Sequence, residues 1–157
     1  MAFSIEFLDE PLQYLGDDPS PPYAIGEITL GSFKETFAAN LYTWSKNDYE
    51  AQWRQAIRHI LSGNDRAALI TYYVGPEVSY NLNWWPIYRV DDLVYFQEQL
   101  LFFENAPEPF VGLQEPFYLE RQFNYVKDRQ IFNEDGERLS EWSVSLTEIE
   151  AFASTMN

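Results

Sequence analysis

The apolar positions of the chain repeat with a helical period in one central segment. Between about Asp48 and Leu61 they recur every three or four residues, which predicts an amphipathic helix with one buried stripe. Asn47 and Glu50 have the spacing of a capping box at its start, and Gly63 follows its end. The stripe consists of Tyr49, Trp53, Ile57, Ile60 and Leu61.

Strand-like alternation precedes and follows this helix. Residues 25 to 41 alternate loosely around a Gly-Ser pair and predict two strands or one kinked strand. Residues 67 to 103 predict a three-stranded antiparallel meander. Pro86 lies within the second of these strands and has no N–H to donate, so we expect a bulge or a sheet edge there.

The C-terminal part of the chain predicts a turn and a second helix. The polar run from Asn133 to Glu137 is typical of a hairpin turn. Ser145 and Glu148 have capping-box spacing and predict the start of a short helix. Its inward-facing residues are expected to be Leu146, Ile149 and Phe152.

The first 24 residues differ from the rest of the chain. They mix isolated apolar positions with aspartates and prolines, and predict an irregular arm, with at most one short element, packed onto the body. The remaining residues, 25–157, are expected to form one domain around one core. The predicted fold class is α+β, a single domain with antiparallel sheets and two principal helices.

The charge of the chain limits its possible partners. The sequence has 25 acidic residues against 10 lysines and arginines, a net charge of −15, while 46% of its residues are apolar. This apolar content exceeds that of a disordered acidic chain, so the charge covers the surface of a folded body. Such a surface repels phosphates, which argues against nucleic acid and anionic membranes, and it steers a basic protein toward it.

Motifs that carry chemistry are scarce. The chain has no cysteine and one histidine, and it lacks the motifs of hydrolases, zinc proteases and nucleotide-binding proteins. We therefore expect no catalytic residue, no metal site and no cofactor, although paired carboxylates such as Asp91 and Asp92 leave a carboxylate hydrolase open. Without a signal-peptide pattern or a run of ~20 apolar residues, we expect a cytoplasmic protein.

Unpaired negative charge is concentrated between Val90 and Glu120, where no lysine or arginine occurs. A solvated outer face is one interpretation, but mutual repulsion costs stability unless a basic ligand uses the field. Trp84 and Trp85 are consecutive in a predicted strand and point to opposite faces, so one of them is a candidate anchor outside the core. The candidate binding residues are Asp91, Asp92, Glu98, Glu104, Glu108, Glu115, Trp84 and Trp85.

Several short segments of the chain resemble immunity proteins of contact-dependent growth inhibition systems, in particular the CdiI family represented in Enterobacter. In that pattern a Tyr-Trp pair precedes an Asp-Tyr-x-x-x-Trp helix, and a Ser-Glu-Trp strand precedes the last helix. The resemblance covers about residues 25 to 153. The matching residues here are Tyr42, Trp44, Asp48, Tyr49, Trp53, Ser140, Glu141 and Trp142.

This resemblance implies a cytosolic, non-catalytic protein that binds the C-terminal toxin domain of a CdiA-like effector and blocks its active site. It also implies a toxin that is a nuclease, and a fold similar to Whirly-type domains with twisted antiparallel sheets. The acidic surface agrees with it, because a nuclease presents a basic cleft to phosphate. Tyr42, Trp44, Trp53 and Trp142 are expected to build the fold rather than to bind toxin. A non-enzymatic acidic adaptor for another basic protein is the alternative.

Overall fold

The computed structural model describes residues 2–14, 22–74, 81–102 and 122–156, and places them in one α+β domain with two antiparallel sheets and two α-helices. This confirms the predicted fold class, while the likeness to Whirly-type domains stays a prediction. The strands are β1 (Phe3–Phe7), β2 (Tyr23–Leu30), β3 (Phe33–Asn40), β4 (Arg66–Tyr72), β5 (Asn81–Val90), β6 (Leu93–Phe96), β7 (Gln99–Phe102) and β8 (Trp142–Ser145). The helices are α1 (Lys46–Leu61), α2 (Leu146–Ala153) and a single 3₁₀ turn, Gln122–Tyr125.

The three-stranded sheet has the order β1-β2-β3. The turn between β2 and β3 contains Gly31, whose φ of 68° is readily adopted only by a residue without a Cβ. The two strands pair antiparallel from Tyr23 opposite Asn40 to Leu30 opposite Phe33. The predicted strand pair is therefore confirmed.

The one short element that the prediction allowed in the arm over residues 1–24 is formed by residues 3 to 7. They form β1, which pairs with β2 along its whole length, and both Phe3 and Ile5 are buried. The predicted boundary at residue 24 falls inside β2. A strand of five residues is too short to show a clear period, and its pairing partner lies beyond the proline-rich segment.

The five-stranded sheet has the order β4-β5-β6-β8, with β7 also paired to β5. The predicted antiparallel meander is confirmed, but its third strand is divided into β6 and β7 opposite Pro86. Gln97 donates its N–H to the carbonyl of Pro86 at 3.0 Å, while the return bond needs an N–H that proline lacks. Pro86 thus lies in a central strand, and the predicted irregularity appears in the neighbouring strand.

Helix α1 begins two residues before the predicted start. Ser45 is its N-cap, and Ser45 and Asp48 exchange the two hydrogen bonds of a capping box at 3.2 and 2.9 Å. The predicted pair, Asn47 and Glu50, has the same spacing but lies inside the helix. Gly63, with a φ of 103°, follows the end of the helix as predicted.

Side chains of α1 close the outer edge of β4. Gln52 donates to the carbonyl of Ala68 at 2.7 Å and accepts from the N–H of Ile70 at 2.9 Å, as a neighbouring strand would. Trp53 donates its indole N–H to the carbonyl of Ile70 at 2.7 Å. Because an unpaired strand edge is a template for association, these bonds protect the sheet from pairing with other chains.

The inner faces of the two sheets form the core. The rings of Phe3 and Phe96 lie 5.3 Å apart, and Phe33 stacks on Trp142 at 4.3 Å. Among the residues that carry the family resemblance, Trp44 and Trp53 are buried and Trp142 packs against the core, as expected. The expectation is wrong for Tyr42, because its side chain is 62% exposed.

The C-terminal predictions are confirmed. Asn133 donates its N–H to the carbonyl of Glu137 at 2.8 Å, and Gly136 has a φ of 81°, which forms the predicted turn. Ser145 and Glu148 form the capping box of α2, which buries Ile149 and packs Leu146 and Phe152 against the core. In the part of the chain that the structure describes, neither α-helix is long and apolar enough to cross a membrane.

Candidate partner-binding site

Among the described residues, the predicted acidic positions do not form one patch. Asp91 and Asp92 are exposed in the turn between β5 and β6, where Asp91 has a φ of 54°. Glu98 lies between β6 and β7, about 20 Å from Asp92 along the extended chain. The structure therefore separates these carboxylates. The other three predicted acids, Glu104, Glu108 and Glu115, lie outside the described residues.

The expectation that Trp84 or Trp85 lies outside the core is wrong, because their exposed fractions are 2% and 0%. Both faces of the five-stranded sheet are covered. Trp85 lies on the face toward the three-stranded sheet, with its ring 5.6 Å from that of Trp142. Trp84 shares the opposite face with Tyr88, whose hydroxyl donates to the carbonyl of Lys127. Neither indole is available as a surface anchor.

Glu98 meets a second carboxyl group that the sequence analysis did not single out. The register of β5 with β6 and β7 places Glu98 opposite Trp85, on the face toward the three-stranded sheet. Glu35 of β3 pairs with Ile28 and so lies on the inner face of the other sheet. Both side chains line one groove at the rim between the sheets, within reach of a hydrogen bond that forms when one of the two carboxyl groups is protonated.

Glu35 and Glu98 line one groove between the sheets, with a volume of about 470 Å³. One wall is β3, and the opposite wall is formed by the end of β4 with part of β5. The lining includes both apolar and polar side chains, among them the phenol groups of Tyr23 and Tyr72. The remaining lining residues are Thr36, Phe37, Ala38, Thr71 and Asn83.

A second groove of about 350 Å³ begins on the other side of Glu98 and reaches Trp142. Glu141, between the lining residues Ser140 and Trp142, accepts hydrogen bonds from Arg129 with both carboxylate oxygens, at 2.6 and 2.8 Å. Gln97 donates to the same carboxylate at 2.9 Å. Arg129 is thus already paired with Glu141.

The electrostatics of Glu98 follow from its position. Partial burial at the rim, followed by the hydrogen bond and the negative charge of Glu35, raises the pKa of Glu98 to about 7. By contrast, burial alone would raise the pKa of Glu141, but hydrogen bonds from Arg129 and Gln97 hold it below its ordinary value. Burial also raises the pKa of Tyr72. The groove is therefore a place where negative charge is costly and a cation would be stabilised.

The chemistry available in this groove is that of binding. Within the described ranges no group of three or more histidine, cysteine or acidic residues is placed to hold a metal ion. Glu35 and Glu98 are in direct contact, closer than the separation of about 5–9 Å at which two carboxyl groups cleave glycosides. A lysine or arginine side chain, in contrast, can donate hydrogen bonds to both carboxyl groups.

The lone histidine, His59, packs against an aromatic ring and a neighbouring amide. The ring of His59 lies 4.7 Å from that of Phe123, and its Nδ1 is 3.3 Å from the amide nitrogen of Asn64. Burial lowers the pKa of His59, although the charge of Asp65 opposes the shift. His59 is remote in the chain and in its contacts from the groove between the sheets.

One feature of the sequence pattern indicates that Glu35 points inward. Phe33, Glu35 and Phe37 alternate on the inner face of β3, so a carboxylate stands where the pattern requires an apolar residue. That interruption marks an inward-pointing charge. Its contact with Glu98 joins two different sheets and depends on the tertiary packing, which periodicity does not show.

Comparisons with known proteins agree on one family. Residues 39–152 match the model of the family described as "CdiI N-terminal domain". The chain is similar to an "Immunity protein CdiI" of Enterobacter cloacae, with 24% identity over 155 residues and 99% of each chain covered. It also superposes on a chain of the solved "CdiA-CT/CdiI toxin and immunity complex from Enterobacter cloacae" with a TM-score of 0.82. That match has 24% identity and covers 99% of this chain and 98% of the other.

Proposed function

Because this chain belongs to the CdiI N-terminal domain family, we propose that it is an immunity protein that binds and neutralises the toxin domain of a contact-dependent growth inhibition effector. The observation that carries the proposal is the match over residues 39–152, which contains α1, the five-stranded sheet and most of α2. The curated relative and the solved toxin–immunity complex support it, since both match nearly the whole chain.

The physical properties of the chain support inhibition rather than catalysis. A net charge of −15 steers a basic protein toward this surface and gives rapid capture that weakens as salt rises. The partner is then a toxin domain with a basic surface, and a nuclease meets that requirement because it must bind phosphate. The immunity protein acts in the cytoplasm of the cell that makes it, without turnover and without a cofactor.

Growth rescue tests this function. The toxin domain encoded beside this chain is expressed in cells with and without the chain, and rescue with co-elution of the two proteins is the expected result. A toxin domain from an unrelated inhibition system serves as the control and should arrest growth in both strains. If the cognate toxin is active and growth still stops in the presence of the chain, the proposed function is wrong.

A further inference from the structure

We propose that the open edge of β3, between Lys34 and Ala38, binds one extended segment of the toxin domain, whose lysine or arginine reaches Glu35 and Glu98 in the adjoining groove. This inference rests on the proposed function, because it names the surface that performs it. The segment would add a fourth strand to the three-stranded sheet, with backbone hydrogen bonds for affinity and a charged contact for specificity.

The pairing of β3 with β2 determines which backbone N–H and C=O groups of β3 point away from β2 at this edge. Leu41 donates its N–H to the carbonyl of Pro22, so the odd-numbered residues of β3 bond to β2. The even-numbered residues Lys34, Thr36 and Ala38 therefore turn their N–H and C=O groups outward. Among the described residues, no strand pairs with this edge.

The uncovered part of the β3 edge is short, as a comparison with the edge of β4 shows. Gln52 and Trp53 of α1 cover the outward groups of Ala68 and Ile70. The next outward group of β3, the carbonyl of Asn40, accepts a hydrogen bond from Tyr49 of the same helix at 2.6 Å. The helix thus covers both strands near this corner and leaves the stretch from Lys34 to Ala38 uncovered. That stretch is the one that borders the groove.

The negative charge at this edge favours a basic segment as the bound strand. An inward-pointing charge on an edge strand opposes pairing with a second copy of the same strand, because the copy would bring another carboxyl pair to the same place. The same two groups, Glu35 and Glu98, favour a strand that carries a positive side chain. A basic segment of the toxin domain satisfies both conditions, whereas a second copy of this chain or an anionic ligand satisfies neither.

The pH dependence of toxin binding should show whether the partner contacts Glu98. Glu98 is the titrating group, and the groups that face it from neighbouring elements are Glu35 of β3, Tyr23 of β2 and Tyr72 of β4. On the side of the second groove, Gln97 is bonded to the Arg129–Glu141 ion pair. Since the pKa of Glu98 is about 7, a basic side chain must displace its proton below neutral pH. Affinity should therefore increase as pH rises from 6 to 8.

The test compares two double variants with equal changes in net charge. Glu35→Gln with Glu98→Gln neutralises the groove, and Asp91→Asn with Asp92→Asn neutralises the distant turn as a matched control. Binding of the purified toxin domain is measured by calorimetry at pH 6 and 8. We expect the groove variant to weaken binding at pH 8 by about tenfold or more, and the turn variant to change it by less than about twofold.

The pH dependence and the edge are tested in the same experiment. Wild-type affinity should rise about tenfold from pH 6 to 8, as expected for a carboxyl with a pKa near 7, and this rise should be smaller in Glu98→Gln. Hydrogen exchange of the wild-type complex should show the amides of Thr36 and Ala38 protected by the toxin. This second readout needs no variant, so it holds even if a substitution disturbs folding.

The outcomes separate the surface from the function. If the wild-type chain fails to bind an active toxin domain, both the proposed function and this inference are wrong. If it binds tightly but the groove variant binds equally well and the two amides exchange as in the unbound chain, only the inference is wrong. Weaker binding by the turn variant alone would move the interface to Asp91 and Asp92.

Discussion

The hydroxyl of Tyr49 in α1 donates a 2.6 Å hydrogen bond to the backbone carbonyl of Asn40, at the end of β3. The same hydroxyl accepts from the N–H of Tyr73 at 3.0 Å, just beyond β4. One fully buried phenol thus joins the end of the three-stranded sheet to the end of the five-stranded sheet. Burial raises the pKa of Tyr49, which keeps the donor proton in place.

Replacing this hydroxyl should weaken the junction between the sheets. In Tyr49→Phe the ring still fills its site, but the carbonyl of Asn40 and the N–H of Tyr73 lose these hydrogen bonds inside the core. We expect the free energy of unfolding to fall by about 1–3 kcal/mol, measured by chemical denaturation. Tyr42→Phe, at a 62% exposed position, is the control and should change it by less than about 0.5 kcal/mol. Equal effects of both variants would contradict the role assigned to Tyr49.

The hydrogen bonds from α1 that cover the outer edge of β4 give a second prediction. Gln52→Leu keeps the approximate volume of the side chain but removes the hydrogen bonds to Ala68 and Ile70. Because two backbone groups then lie buried without these partners, we expect a loss of about 2–4 kcal/mol in unfolding free energy and a greater tendency to associate. Gln55→Leu on the same helix is the matched control. Unchanged stability and a monodisperse elution profile for Gln52→Leu would show that the edge does not need these hydrogen bonds.

The ion pair of Arg129 and Glu141 gives a pH-dependent prediction. The folded-state pKa of Glu141 lies below its ordinary value, so the pair stabilises the fold above that ordinary value and loses its contribution as pH falls through the folded pKa. Arg129→Met should lower the unfolding free energy by about 1–3 kcal/mol at pH 7.

Denaturation curves at pH 7 and pH 3 check this sign. The gap between wild type and Arg129→Met should be largest at pH 7 and should shrink toward pH 3, as the pH falls toward the lowered folded-state pKa of Glu141. Arg58→Met removes an exposed arginine of α1 and is the control. A gap that stays constant between the two pH values would mean that Arg129 acts through its packing over Tyr95, 4.0 Å from the ring centre, rather than through charge.

For Glu98 we predict that stability changes with pH in the opposite direction. Partial burial and the neighbouring Glu35 raise the folded-state pKa of Glu98 to about 7, so the folded protein holds this proton more tightly than the unfolded chain does. The stability of the wild type should therefore decline as pH rises from about 5 to 7 and then level off. Glu98→Gln cannot ionise, so its stability relative to wild type should increase across this interval.

Thermal unfolding at half-unit pH steps measures this difference. Glu134→Gln, in the exposed turn after Asn133, is the control and should follow the wild-type curve. The difference between Glu98→Gln and wild type should be smallest at pH 5 and largest at pH 8. A difference that is flat with pH would show that Glu98 carries no excess proton affinity in the fold.

Local patterns predicted most of the secondary structure, because those elements depend on neighbouring residues. The stripe of α1, the capping box of α2 and the turn at Gly31 are all properties of short segments. The start of α1 could not be predicted from local spacing alone. Ser45 with Asp48 and Asn47 with Glu50 have the same local spacing, and the packing of Trp44 against Tyr73, at 4.5 Å, favours the earlier start.

The candidate site was harder to predict because it is tertiary. Alternation correctly places Trp84 and Trp85 on opposite faces, but only the packing of a second layer on each face shows that both are buried. Glu98 was singled out from its charge, whereas its partner Glu35 lies more than sixty positions earlier in the chain. A contact between two sheets has no sequence period.

The most direct measurement of the function is inhibition of the purified toxin domain by the purified chain. Increasing amounts of the chain are added to a fixed, active concentration of toxin, and toxin activity is followed in the absence of any other cellular component. Neutralisation by direct binding predicts a linear fall to no activity at one equivalent. Full toxin activity in the presence of several equivalents would contradict it.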